Sequence, residues 1–198
     1  MDVTIFNQIF DTPQLTQLIS RSPKFKSYNN ARLLFSESEA WVILSQAYKN
    51  RANELRIAYS SQPDEQASIM AQICGSSFPQ AFIATTAEHL YVIASEDWED
   101  IGNDQWLELL RSFTGPEALY IPLEFRLSLP LALQEFVGER VTEVLPALQT
   151  IFLEDVLQDS FRSGAEDAAI GQIVSARRLA GHPVTVSPWE HDDVTEDT

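Results

Sequence analysis

Short alternating triplets recur along this chain at a nearly constant spacing. Leu55-Arg56-Ile57, Leu90-Tyr91-Val92, Leu119-Tyr120-Ile121, Ile151-Phe152-Leu153 and Val184-Thr185-Val186 share one frame, an apolar residue on each side of a middle residue. Their leading positions lie 35, 29, 32 and 33 residues apart. Alternation of period two is the pattern of a strand with one buried face. Between the triplets the period changes to that of a helix. Ser61 and Pro63 open a segment in which Ile69, Met70, Ile73 and Cys74 recur at helical spacing. Asn103 precedes Trp106, Leu107, Leu110 and Phe113, and Ser128 and Pro130 precede Leu133, Phe136 and Val137. A further turn carries Val141, Val144, Leu145 and Leu148, and Ile170, Ile173, Val174 and Arg177 lead to Gly181, a helix end with Pro183 beyond it.

The first fifty residues break the pattern. The segment 11–20 reads as a helix capped by Asp11 or Thr12 with Pro13 in its first turn. Before it, Ile5, Phe6, Ile9 and Phe10 form an apolar helical stripe. The runs 31–35 and 41–44, separated by the polar stretch 36–40, are placed to form a hairpin.

Strand–helix alternation fits two architectures. A doubly wound sheet has helices on both faces and continuously apolar strands. Here the strands mix polar and apolar positions, and the period of about 32 residues matches stacked units that bury their faces only against neighbours. The expectation is an open α/β solenoid over residues 1–189, leucine-rich-repeat-like, with parallel strands on the concave side, helices outside and an N-terminal hairpin. Solenoids need a polar terminal cap. The start of this chain shows none, so either the first helix serves or the chain is the remainder of a longer one.

Composition narrows the function classes. The formal charge is −16, from 13 basic and 29 acidic residues; five acidic groups sit in the tail 190–198, which reads as disordered, leaving −11 on the rest. A field of that sign repels phosphate backbones and argues against nucleic acid as a partner. No apolar run approaches the ~18 residues of a membrane span. The single cysteine, Cys74, has no partner for an internal disulfide, and the N-terminus has no basic segment followed by an apolar one. An intracellular protein, cytoplasmic or nuclear, is the expectation.

Four stretches carry a family likeness: "PQLTQLISRSPKF" (13–25), "QWLELLRSFTGPEALYIPLEF" (105–125), "LALQEFVGERVTEVLPALQTIFLED" (131–155) and "IGQIVSARRLAGHPVTVSPWE" (170–190). They resemble the C-terminal, leucine-rich-repeat-like region of F-box-type proteins of mushroom-forming fungi. The resemblance implies a non-catalytic recognition scaffold that presents a substrate to a ubiquitin ligase. It supplies no catalytic residue and no cofactor. The F-box is absent from these residues, so a Skp-type adaptor enters only if an F-box lies upstream in a longer form. The asparagine that follows a leucine-rich strand is also missing; Ser60, Ser95, Glu124, Val156 and Trp189 stand in its place.

The strand frame itself points to a site. Its middle column reads Arg56, Tyr91, Tyr120, Phe152, Thr185, flanked by Glu54, His89, Ile93 and Glu154. With strands about 4.8 Å apart, the three aromatic rings form a ladder roughly 10 Å long. Exposed aromatics are the usual anchors of a protein interface, so Tyr91, Tyr120 and Phe152, with Arg56 and Glu154, are the candidate contacts for an unknown protein partner. The competing reading is cross-strand packing alone. An α/β enzyme is the alternative of another class; it needs titratable residues at strand C-termini, where the chain offers Glu96, Glu124 and Glu154. A non-functional fragment of a longer F-box protein is a third.

The remaining chemistry is thin. Cys74 with His89 as base is outweighed by its apolar helical setting. His89, His182 and His191 lack paired metal spacing. The acidic stretch 95–105 lacks EF-hand spacing and sits where carboxylates complement a helix start. Trp98 and Trp106 read as packing residues, and Arg177 and Arg178 as charge at a helix C-terminus.

Overall fold

In the computed structural model of the protein the described residues are 2–6, 28–47, 54–60, 62–77, 87–95, 101–135, 140–154 and 164–189. The helix expected over 11–20 and the acidic tail 190–198 lie outside them. Strands β1 (Asp2–Phe6), β2 (Asn30–Phe35), β3 (Glu39–Ser45) and β4 (Leu55–Ser60) are followed by helix α1 (Pro63–Gln72). Then come β5 (His89–Ala94), α2 (Asn103–Arg111), β6 (Ala118–Ile121), α3 (Ser128–Gln134), β7 (Thr150–Glu154), α4 (Gly164–Leu179) and β8 (Thr185–Trp189).

The strands join in one open sheet of order β1-β4-β3-β2-β5-β6-β7-β8. All pairings are parallel except β2 with β3 and β3 with β4. The fold is thus α/β with a mostly parallel sheet that does not close into a barrel. A parallel pair needs a long crossover connection, and the segments carrying α2, α3 and α4 supply it between β5, β6, β7 and β8. Each helix packs on the next, α1 on α2, α2 on α3 and α3 on α4.

One sheet face supplies the core. Leu33, Phe35, Val42, Leu44, Leu55, Ile57, Leu90, Val92, Leu119, Ile121 and Ile151 alternate along their strands into a single cluster with residues of all four helices. Its centre is aromatic. Trp106 meets Phe125 at 4.9 Å and Phe35 at 5.8 Å between ring centroids, both edge to face. Trp106, Leu107, Leu109 and Leu110 are the buried residues of α2, the stripe its helical period demands. Pro63 starts α1 where its missing N–H costs nothing. Among the described residues no helix is long and apolar enough to cross a membrane.

Several expectations change. Ile5 and Phe6 belong to strand β1, parallel to β4, and not to a helical stripe. The hairpin forms as β2 and β3, but it sits inside the sheet: β3 and β2 separate β4 from β5, so Leu55-Arg56-Ile57 is not the neighbour of Leu90-Tyr91-Val92. That place belongs to Ala31-Arg32-Leu33. The last triplet shifts by two residues, with Ile151 opposite Val186 and Phe152 opposite Ser187, not Thr185. Val184 instead turns into the core before the strand begins. Val141, Val144, Leu145 and Leu148 are buried as expected, but on turns instead of a helix.

Beyond β7, β8 is an edge strand, and Val186 on its core side is 41% exposed. Pro188 sits in this strand opposite Leu153, where a residue without an N–H is tolerated.

Helix α4 ends as the sequence indicates. Gly181 takes φ +82°, its N–H donates to the Arg178 carbonyl at 3.2 Å, and the His182 N–H donates to the Arg177 carbonyl at 2.9 Å. Arg177, however, is not an exposed capping charge. It is 2% exposed and donates to the carbonyls of Val144 at 2.7 Å, Leu145 at 2.9 Å and Leu148 at 3.4 Å. Leu145 takes a left-handed φ of 48°, so this turn is held in a conformation that leucine disfavours. The guanidinium is the clamp that fixes it, and burial lowers its pKa from the usual value. Arg177→Met, which keeps the stem and removes the donors, is expected to cost about 2–4 kcal/mol because buried carbonyls lose their partner. Arg177→Lys should recover only part, since an ammonium lacks the fork that reaches several carbonyls. Urea unfolding measures both.

Candidate functional site

In-register pairing lays one row of Cα partners across all eight strands: Asp2, Arg56, Ile43, Arg32, Tyr91, Tyr120, Phe152 and Ser187. From β4 to β8 these positions belong to the face opposite the core, because their neighbours along each strand point into it. The expected aromatic ladder is present. Tyr91 and Tyr120 stack at 4.0 Å with planes 16° apart, and Tyr120 and Phe152 at 4.5 Å with planes 6° apart. Spacing slightly below the strand separation is what parallel pairs of rings adopt when they lean together.

Two further rings complete the cluster. His89, one alternation before Tyr91, stacks on it at 6.4 Å, and its Nδ1 lies 3.2 Å from the Tyr120 hydroxyl. Trp189 meets Tyr120 at 5.3 Å and Tyr91 at 6.0 Å, steeply inclined to both. Tyr120, Phe152, His89 and Trp189 are half-buried, whereas Tyr91 is only 6% exposed. The ladder is therefore not three outward rings; its first ring is covered.

The other end of the row is ionic. Glu54, just before β4 and 4% exposed, holds Arg32 through one carboxylate oxygen. Its second oxygen accepts from Arg56 Nε at 2.9 Å and Nη2 at 2.8 Å. Strand β3 runs between the two arginines' strands, so the carboxylate draws together guanidiniums whose backbones are about 10 Å apart. Arg56 is thus not beside Tyr91. Arg32 is, and the sequence signal for it was present: Ala31-Arg32-Leu33 has the triplet frame with a small leading residue. Trp189 also carried a signal, lying two residues beyond Ser187 and so on the same face.

Glu154 is tied to its own chain. Its Oε2 accepts the Leu123 N–H at 2.8 Å, which caps the short 3₁₀ turn Leu123–Phe125. Glu124 is exposed beside it, and Glu96 lies outside the described residues. Cys74 and His89 do not meet, because Cys74 belongs to the helix-side core while His89 is on the opposite face. Burial pushes the Cys74 thiol up to about 12, which keeps it protonated and unreactive. His182 is exposed after the turn of α4. Asp104 stands in the first turn of α2, and residues 96–100 lie outside the description. Among the described residues no group of three or more His, Cys, Asp or Glu could hold a metal. A groove of about 420 Å³ between α4 and β8 is lined by Leu153, Ile170, Val174, Val186 and Pro188, and Asp167 is the one ionisable side chain among the described residues that line it.

Comparison with known protein families, curated proteins and solved structures finds no match to this chain.

Two outcomes follow from these environments. Cys74 rises from about 9 to about 12 and Tyr28 from about 10 to about 12, both by burial. The folded state then holds protons that the unfolded chain releases, so this contribution is complete below about pH 9 and is lost as pH climbs toward about 12. Urea midpoints should fall across that window, and Cys74→Ala should flatten the early part of the decline. At the ionic end, Glu54→Ala leaves two arginines without their shared carboxylate and is expected to cost about 3–5 kcal/mol. Arg56→Ala, at 31% side-chain exposure, should cost about 1 kcal/mol or less. Equal losses in thermal melts would show that Glu54 is not the pivot.

Proposed function

We propose that this chain is a non-catalytic protein-recognition scaffold that resembles the substrate-binding, leucine-rich-repeat-like region of fungal F-box proteins, and that it binds a protein partner on the strand face opposite its helices. The observation that carries the reading is the in-register aromatic row Tyr91-Tyr120-Phe152. With the described helices on one side, the sheet needs no aromatic residues on the other, and the half-buried rings of Tyr120 and Phe152, held by stacking, offer contact area at low entropic cost. The solenoid reading draws support from β5, β6, β7 and β8, which lie side by side in chain order, the last three each reached through a helix that packs on the preceding one. Stacked repeat units have this arrangement.

The test separates binding from sheet packing. If the row only stabilises the sheet, Phe152→Ala costs about 0.2–1 kcal/mol per lost pair and changes no partner. If it binds, Phe152→Ala and Tyr120→Ala keep the circular dichroism of the native fold while capture of a photo-crosslinked partner drops about tenfold, some 1.4 kcal/mol. A crosslinker at Phe152 should label that partner, and one at exposed Glu108 on α2 should not. Capture unaffected by both substitutions in a folded protein would leave the row a packing device.

A further inference from the structure

The helical side of the sheet carries an apolar row of its own. Of the five large apolar side chains exposed among the described residues, three belong to one stretch: Leu123 at 46%, Leu127 at 42% and Leu131 at 37%. The backbone is helical throughout that stretch. The 3₁₀ turn Leu123–Phe125 continues through Arg126 and Leu127, both in the right-handed helical region, into α3. The Arg126 N–H donates to the Leu123 carbonyl at 3.2 Å, and the Leu131 N–H to that of Leu127 at 3.1 Å. Steps of four residues therefore set the three leucines in one row about 12 Å long. The opposite side of the run packs into the core through Phe125, Leu129, Ala132 and Leu133. A helix apolar on both sides is the pattern of one with neighbours on both sides.

We propose that the outward face of this run is a docking site for a basic amphipathic helix of another protein, with apolar residues at steps of three and four flanked by lysines or arginines. The site lies on the opposite side of the sheet from the aromatic row and does not depend on how that row is read. The helical form of the partner follows from the leucines. Side chains four apart make the ridge that enters the groove of a facing helix in the commonest class of helix packing, and anchors at such spacing are how amphipathic helices are held. The basic character follows from the rim. Glu124 and Glu135 are both exposed, and with Leu131 they stand at i, i+7 and i+11, along one edge of the row. Glu135 accepts from Asn103 Nδ2 at 3.0 Å, a neutral donor that leaves its charge in place. That contact also brings the start of α2, with exposed Asp104, beside it. The arginines adjacent in sequence do not offset these carboxylates. Arg126 is 7% exposed, and Arg140 is held by Glu143 through two hydrogen bonds of 2.8 Å. A second copy of this chain would bring the same carboxylates and a net charge of −16 against them, so it is the poorer occupant.

The experiment uses the full chain and a fluorescently labelled peptide, Leu-Lys-Lys-Ala-Leu-Lys-Lys-Leu-Ala-Lys-Lys-Leu-Lys-Lys-Ala, followed by polarisation. Two further peptides replace every lysine by glutamine or every leucine by serine. The lysine peptide is expected to bind most tightly, and each of the others about tenfold more weakly. Leu127→Ser with Leu131→Ser should weaken its binding about tenfold. Glu124→Gln with Glu135→Gln should weaken it about fivefold and flatten its salt dependence. Val186→Thr, which alters an exposed apolar residue on the edge strand β8, should change nothing. Because both leucines are exposed, their double serine variant should keep the urea midpoint of the unaltered chain. A midpoint that falls would show the row covered by the chain's own residues and overturn the proposal. Sedimentation of the unaltered chain as a dimer that the serine variant abolishes would assign the row to a second copy and overturn it too. Lysine-peptide binding that ignores the leucine substitutions overturns the site, as does no binding at all. Equal binding of the lysine and glutamine peptides overturns the basic class of the partner.

Discussion

Parallel strands paired without slippage copy a sequence frame into rows of like side chains, and this molecule depends on that constraint from β2 to β8. On the core side the row Ala31, Leu90, Leu119, Ile151 is almost completely buried. On the other side the row one residue on brings Arg32, Tyr91, Tyr120 and Phe152 together. A slip of one residue would exchange these two rows and place tyrosines in the core. The pairing is therefore fixed by burial, and the aromatic contacts follow from it. Trp106, wedged between Phe35 and Phe125, ties that buried face to its helices.

Much of this was legible in the residues. The frames at Leu90, Leu119 and Ile151 land opposite one another as their spacing indicates, and Pro63, Asn103, Ser128 and Gly181 each stand at or next to the helix boundary they mark. The failures have physical causes. Ala31-Arg32-Leu33 went unnoticed as a copy because alanine carries a weak hydrophobic signal, although a small side chain fills the position. Leu55-Arg56-Ile57 was a true strand in the wrong place, since local alternation fixes which face is buried and not which strand is adjacent. The two-residue shift at β8 arose because Val184 and Val186 are equally apolar, and only tertiary contact decides which one is buried.

The candidate site was legible in part for the same reason. Three of its rings lie in the repeating frame, but Tyr91 is buried by neighbours that the frame does not contain. Trp189 reaches the ladder across two strands, a contact between residues 69 and 98 positions apart that no local pattern encodes. Arg177 shows the complementary error. Its position near a helix end suggested a charge that caps that helix, while a turn 29 to 33 residues earlier presents three carbonyls that draw it inward. Side chains long enough to leave their own element escape periodicity arguments.

The last strand has a bearing on how these molecules behave in company. Along β8 the Thr185 N–H is spent inward on the Gln149 carbonyl, so by alternation the groups of Val186 and Pro188 face away from the sheet. One of those two outward donors is missing because proline has none. A second chain laid against this margin would find an interrupted ladder on a protein that already repels its own kind. Growth of the sheet from molecule to molecule is discouraged there by a single ring of three methylenes.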